Sequence, residues 1–200
     1  MKKYILNCLV AAAFALVATS CGDNFGNMNI SPNSPANPNT ASILTGALRN
    51  VGAAVTGIQP GLYVQHFGDV TYIEDSRYKT VNFDYNGFYA GPLVNLQYII
   101  QQNTDEATKS NAAATGSNAN QIATARILKA YFFQFLTDRW GDIPYSEALK
   151  GAGDFSPKFD KQQDIYNDLF KEWKEAAAQF DGGKTVQGDI LLGGNIARWK

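Results

Sequence analysis

Gln121 to Leu136 ("QIATARILKAYFFQFL") constrains this chain more than any other stretch. Ile122, Ala125, Leu128, Phe132 and Phe135 recur at helical spacing, and Ile127, Ala130 and Phe133 widen the face. A surface helix needs only one apolar stripe. A face this wide predicts a helix packed against neighbours on two sides.

Other segments supply those neighbours. Leu44, Ala47, Leu48, Val51 and Val55 fall at spacings of three and four behind Thr40, which is expected to cap a helix over 41–57. Gly57 and Pro60 interrupt it, and residues 61–69 suggest a further short helix. Leu93, Leu96, Ile99 and Ile100 stripe another, with Pro92 expected in its first turn. Residues 107–119 are small and polar and read as a loop. Ile165, Leu169, Trp173, Ala176 and Phe180 repeat at helical spacing, behind an expected capping box of Asp160 and Gln163 and before Gly182 and Gly183. The last two long helices begin about forty residues apart, near the period of helical-hairpin repeats. The expected class is therefore all-α, an array of helices with irregular loops.

Between those two helices lies "TDRWGDIPYSEAL". Asp138, Asp142 and Glu147 offer the two carboxylates that sugar hydrolysis needs. A structural reading accounts for the same residues. Asp138 at a helix end needs a partner, either Arg139 or N–H groups of the turn. Gly141 permits a sharp reversal, Pro144 holds Ile143 extended, and Trp140 and Tyr145 fill the gap between the helices the turn joins. His66, the lone histidine, has no evident partner. No phosphate loop, metal-ligand spacing or dinucleotide fingerprint appears, so no cofactor is expected.

The chain opens with a basic n-region (Lys2, Lys3), an apolar run and Ala18-Thr19-Ser20 before Cys21. This is the anatomy of a secretory signal ending in a lipobox. Residues 1–20 are expected to be removed, Cys21 to be acylated, and the Asn-, Pro- and Ser-rich stretch 21–39 to serve as a tether. Cys8 leaves with the signal, so no disulfide or thiolate chemistry is expected. A net charge of −1 without basic blocks argues against nucleic acid.

Residues 62–90 hold eight aromatics, more than twice the 12% average. Sugar rings stack on exposed aromatic faces. Tyr72, Tyr78 and Tyr85 are the ligand candidates, because they lie where no helical face claims them. Asp75 and Arg77 are placed to bind hydroxyls.

With these residues in view, the chain resembles the SusD/RagB family of outer-membrane nutrient-binding lipoproteins. The resemblance is carried by "TDRWGDIPYSEA", "PKFDKQQDIYNDL" and "GDILLGGNIARW", in that order and spacing. Phe159 stands where the family usually has Tyr. The resemblance implies a scaffold of TPR-like helical hairpins over 40–200. It also implies a lipid-anchored outer-membrane protein facing the cell exterior, which passes glycans or other nutrients to a SusC-like TonB-dependent transporter, without catalysis. Family members continue past the position of Trp199, so the sequence is expected to be the N-terminal part of a longer chain. The final helix is expected to need cover from a following one. The alternatives carried are a surface glycoside hydrolase and a purely structural helical-repeat adaptor.

Overall fold

The computed structural model describes residues 31, 38–79, 84–153 and 156–200. Two units separate along the chain, Met1–Asn37 and Pro38–Lys200, and the account below is of the second. The signal segment, Cys21 and most of the tether lie outside the described residues.

The second unit is an array of helices in the order α1 (Thr40–Val55), α2 (Gln59–Tyr63), α3 (Asn86–Phe88), α4 (Val94–Thr104), α5 (Lys109–Ala112), α6 (Asn118–Trp140), α7 (Gln162–Gln179) and α8 (Ile196–Trp199). α1 packs on α4, α4 on α6, and α6 on α7. Side-chain pairs fix the directions. Gln97 meets Lys129 and Asn103 meets Gln121, while Arg126 meets Glu172 and Asp138 meets Tyr166. α4 and α7 therefore each run antiparallel to α6, giving the expected all-α array of hairpins. Its only strands among the described residues are a two-residue antiparallel pair. Ile143 of β1 (Ile143–Pro144) lies opposite Asp160 of β2 (Phe159–Asp160).

The width of the α6 face is explained by this central position. Ala125, Leu128, Ala130, Phe132, Phe133 and Leu136 are all buried. They meet Leu93, Leu96 and Ile99 from one side and Ile165 and Leu169 from the other, in one continuous core. The stripe of α7 faces α6: Ile165, Leu169 and Ala176 are fully covered. These three are covered by the preceding helix, while Phe170 on the same helix is 57% exposed.

Several local readings are also corrected. Asn39, not Thr40, caps α1, accepting from the Ala41 N–H at 2.8 Å. Thr40 lies inside the helix and is buried. Val55 points to solvent and Ala54 is buried in its place, because a 3.6-residue period drifts across four turns. Pro92 sits within a π-helical turn, Tyr89–Leu93, between α3 and α4. A residue without an N–H cannot join the regular ladder, and the wider turn accommodates it. The expected loop 107–119 contains α5 and a 3₁₀ turn, Ala113–Thr115. Asp160 does not cap α7. It lies in β2, and the α7 N-cap, Lys161, makes no side-chain cap bond.

A buried polar cluster ties the start of α6 to its neighbours. Gln121 Oε1 accepts from Thr40 Oγ1 at 2.7 Å and from Thr115 Oγ1 at 3.3 Å. Its Nε2 donates to the carbonyls of Ala112 and Gly116, both at 2.8 Å. At the other end of the sequence, Gly188 has φ +80° and lies against α1. A Cβ there would fall 2.1 Å from the Ala41 carbonyl oxygen, so only glycine fits.

The "GDILLGGNIARW" element is organised by one carboxylate. Asp189 Oδ1 accepts from the N–H groups of Leu191 and Leu192. Oδ2 accepts from Gly194 N–H and from Trp199 Nε1, the last two at 2.8 Å. Burial pushes this carboxyl up, but the four donors together outweigh it and hold the group below the usual aspartate range. The stabilisation is present above the unfolded aspartate pKa of about 3.9 and is lost as pH falls through the lower folded value. Asp189→Asn is therefore expected to lower stability at neutral pH and to flatten the loss of stability on acidification below about pH 4. Urea unfolding across pH 2.5–7 measures both (a range set by those carboxylate values). Parallel wild-type and variant curves would contradict it.

Candidate functional site

The corner between α6 and α7 is held by hydrogen bonds from several segments. Gly141, at φ +74°, reverses the chain. Thr137 Oγ1 donates to the Gly141 carbonyl at 2.7 Å, and Gly141 N–H donates to the Thr137 carbonyl at 2.8 Å. Gln162 Nε2 reaches back to that same carbonyl at 2.6 Å. Pro144 is buried, and its carbonyl accepts from Tyr89 Oη.

Each acid near the corner has a donor. Asp138 accepts from Tyr166 Oη on α7. The expected partners, Arg139 or the N–H groups of the turn, are thus replaced by a phenol on the next helix. Arg139 lies over the Trp140 ring at 5.2 Å. Asp142 accepts from the Gln162 N–H at 2.9 Å, placing its charge at the N-terminus of α7. Glu147 accepts from the Lys158 N–H at 3.2 Å. Asp160 accepts from Tyr145 and Ser146 N–H and from Ser146 Oγ. Burial pushes its carboxyl up, but these bonds and Lys158 hold it below the ordinary range.

The two aromatics of the corner serve different neighbours. Tyr145 packs edge-on against Phe133 and donates to Asp168 on α7 at 2.6 Å. Burial, and then the Asp168 carboxylate, push its phenol up, so it stays protonated and donates. Trp140 does not fill the gap between α6 and α7. It is half-buried against Tyr85 and Phe135, with ring centroids 5.4 and 6.4 Å away.

That contact divides the ligand candidates. Tyr85 is committed to Trp140 and Tyr89 and is half-buried. Tyr72 is 79% exposed and Tyr78 60% exposed. Asp75 and Arg77 lie in the 3₁₀ turn that ends at Tyr78. Tyr78 has a left-handed φ of +61° and stacks on Tyr63, centroids 5.7 Å apart and planes 29° from parallel. The Tyr63 hydroxyl donates to the Lys79 carbonyl at 3.1 Å, fastening the turn to α2. The structure thus brings Tyr78, Asp75 and Arg77 together, sets Tyr85 elsewhere, and adds Tyr63. The aromatic count included Tyr63, but its place in a helical run withheld it from the candidates. His66 is exposed.

Beside Tyr63 opens a cleft of about 470 Å³ between the end of α1, α2 and the end of α6. Gln59, Tyr63, Phe135 and Arg139 are among its walls. Among the described residues no group of His, Cys, Asp and Glu is arranged to hold a metal, and no helix is long and apolar enough to cross a membrane.

The family model for SusD-like proteins, described as starch-binding and associating with outer membrane, matches residues 32–200. Among solved structures, a chitin-binding protein shares 32% identity at a TM-score of 0.65, covering 81% of this chain and 36% of that one. A SusD homolog from Bacteroides fragilis shares 25% at 0.65, covering 82% and 33%. A second SusD homolog from the same organism shares 29% at 0.63, covering 82% and 33%. The chain thus spans about a third of the length of these structures. No match is found among curated proteins.

Trp140 is half-buried, so Trp140→Ala is expected to cost about 2 kcal/mol, less than for a fully buried ring. Tyr145→Phe keeps the packing and loses one hydrogen bond, about 1 kcal/mol. Denaturant unfolding ranks the two, and a neutral Trp140→Ala would show that its contacts with Tyr85 and Phe135 hold nothing.

Proposed function

The chain belongs to the SusD-like family, described as starch-binding and associating with outer membrane, and from that premise we propose that it binds glycan and delivers it to a SusC-like TonB-dependent transporter. The observation that carries this reading is the family match over residues 32–200. The chitin-binding structure at 32% identity supports the same ligand class, since starch and chitin are both polymers of pyranose rings. The Tyr63–Tyr78 pair, with Tyr72 exposed nearby in sequence, is the surface that meets the sugar. Tyrosine offers a flat apolar face with a polar tip, which suits a ring that is apolar on its faces and hydroxylated at its edge. Asp75 and Arg77 accept from and donate to the hydroxyls.

The corner residues Asp138, Trp140, Gly141, Asp142, Pro144 and Tyr145 act as scaffold in this reading. A donor for every acid there supports that role over hydrolysis. Cys21 carries the lipid, residues 1–20 are the removed signal, and residues 21–39 tether the helical unit at the outer face of the membrane.

Two measurements test the proposal on the whole protein. Tyr78→Ala is expected to weaken glycan binding about tenfold by calorimetry with an unchanged melting temperature, and no reducing ends are expected to appear. Failure to bind any glycan, or release of reducing ends, overturns the binding reading. Labelled fatty acid is expected to enter the wild type and not Cys21→Ser; equal labelling overturns the anchor.

A further inference from the structure

A second cleft, of about 390 Å³, opens on the other side of α6. α4 supplies Gln97 and Gln101 to its walls, α6 supplies Lys129 and Phe133, and α7 supplies Asp168 and Glu172. The loop after the corner closes one side with Tyr145 and Lys150. Phe133 here and Phe135 in the first cleft stand two residues apart, more than half a turn of helix. The two clefts therefore face away from each other.

The charges in these walls balance. Lys129 and Lys150 oppose Asp168 and Glu172, so neither an anion nor a cation finds a net counter-charge. Hydrogen-bonding capacity remains on both sides of that balance. Lys129 Nζ donates to Gln97 Oε1 at 3.1 Å, and an ammonium carries three N–H groups. Asp168 Oδ2 accepts from Tyr145 Oη, and its other oxygen takes no bond among the described residues. Glu172 is committed, because the Arg126 fork holds both of its oxygens. Burial pushes the Lys129 ammonium below the ordinary lysine value, and the Glu172 charge restores only part of that loss.

Hydroxyl groups fit such a wall. Each both donates and accepts, so neighbouring hydroxyls on one ring answer Lys129 and Asp168 together without bringing a charge of their own. The apolar face of the same ring meets the Tyr145 side of the cleft, where Tyr145 packs edge-on against Phe133. The loop is also held in an uncommon shape. Leu149, which lines the cleft, has a left-handed φ of +64°, and strained residues of this kind gather at ligand clamps.

We propose that this cleft is a second saccharide site, taking a neutral, hydroxyl-rich sugar unit between Lys129, Asp168 and Gln101. The inference rests on the reading of the chain as a glycan binder, and it places this site apart from the Tyr63–Tyr78 platform. Sites that face apart hold separate stretches of a polymer, which raises retention without any stronger contact.

The test is hydrogen–deuterium exchange on the whole protein with an α-1,4 glucose hexamer, a β-1,4 N-acetylglucosamine hexamer and an α-1,4 galacturonate hexamer. The Leu149 and Lys150 N–H groups have no backbone partner among the described residues, so they exchange quickly unless a ligand covers them. A neutral hexamer is expected to slow them in the wild type and in Tyr78→Ala alike. Lys129→Met keeps the aliphatic stem and is expected to raise the concentration for half-protection about tenfold. Gln101→Leu, on an exposed position of α4, is expected to raise it in the same direction and stands in if Lys129→Met does not fold. Protection confined to the segment around Tyr78, or lost in Tyr78→Ala, overturns the second site and leaves glycan binding intact. Slow exchange at Leu149 and Lys150 before any sugar is added shows the cleft to be covered by protein and overturns it too. Stronger protection by the galacturonate hexamer overturns the neutral ligand class. Half-protection unchanged in both variants overturns the roles of Lys129 and Gln101. Protection by no hexamer anywhere overturns both the site and the reading beneath it.

Discussion

The array depends on one buried amide. α6 lies between α4 and α7, so its first turn has little access to water, and the groups it buries must be satisfied by protein. Gln121 meets that demand from both ends of its side chain. The oxygen takes the Thr40 and Thr115 hydroxyls, and the nitrogen gives to two carbonyls of the turn that precedes α6. Thr40 belongs to α1, so a single residue couples the first helix to the central one across 81 positions. A leucine there would remove all four of these bonds at once, leaving the Thr40–Thr115 hydroxyl pair and the Thr115 bond to the Ala112 carbonyl. Such a cluster is stabilising only when complete.

The far end of α6 is held differently. The corner is more exposed, and its bonds run from carboxylates to N–H groups and phenols. Charge-assisted bonds of this kind tolerate partial solvation. They also set direction. Asp142 supplies negative charge at the first turn of α7, and Tyr166 and Tyr145 tie α7 back to α6 and to the corner. Arg126 completes the seam, donating through Nε and Nη2 to both oxygens of Glu172 at 2.8 and 2.7 Å. A fork on a carboxylate fixes the register of two helices better than a lysine would.

What was legible in the sequence follows from the range of each interaction. Helix faces are written in local periodicity, and Leu44, Leu96, Leu128 and Ile165 fall where their spacing puts them. Caps are a choice between adjacent residues, and Asn39 and Thr40 are both good cap formers. The sequence alone cannot weigh the pull of Gln121 on Thr40. Asp138 and Tyr166 stand 28 positions apart, so nothing near Asp138 names its partner. The Asp189 element was legible as a pattern through its family resemblance, while its cause, a carboxylate with four donors, needs coordinates. The polar cleft carries no sequence signal: Gln101, Lys129 and Asp168 lie on three helices and meet only when those helices pack.

Tyr78 joins the scaffold to the surface. A non-glycine residue at φ +61° is in a region that costs roughly 1–2 kcal/mol. The turn around it offsets that cost through the Tyr78 and Lys79 N–H groups, which donate to Asp75 and Glu74 carbonyls, and through the Tyr63 hydroxyl on the Lys79 carbonyl. The result is an aromatic ring held outward in water but fixed against a second ring. Exposed apolar faces in a monomer are normally hidden or left to move. Here the backbone is bent and bonded to keep one in place. In the proposed binding role this is preorganisation, which lowers the ordering cost of taking up a flat ligand. Ring, turn and α2 are fastened to one another before any ligand arrives, and α2 places the Tyr63 side of that platform beside the cleft that the end of α6 walls.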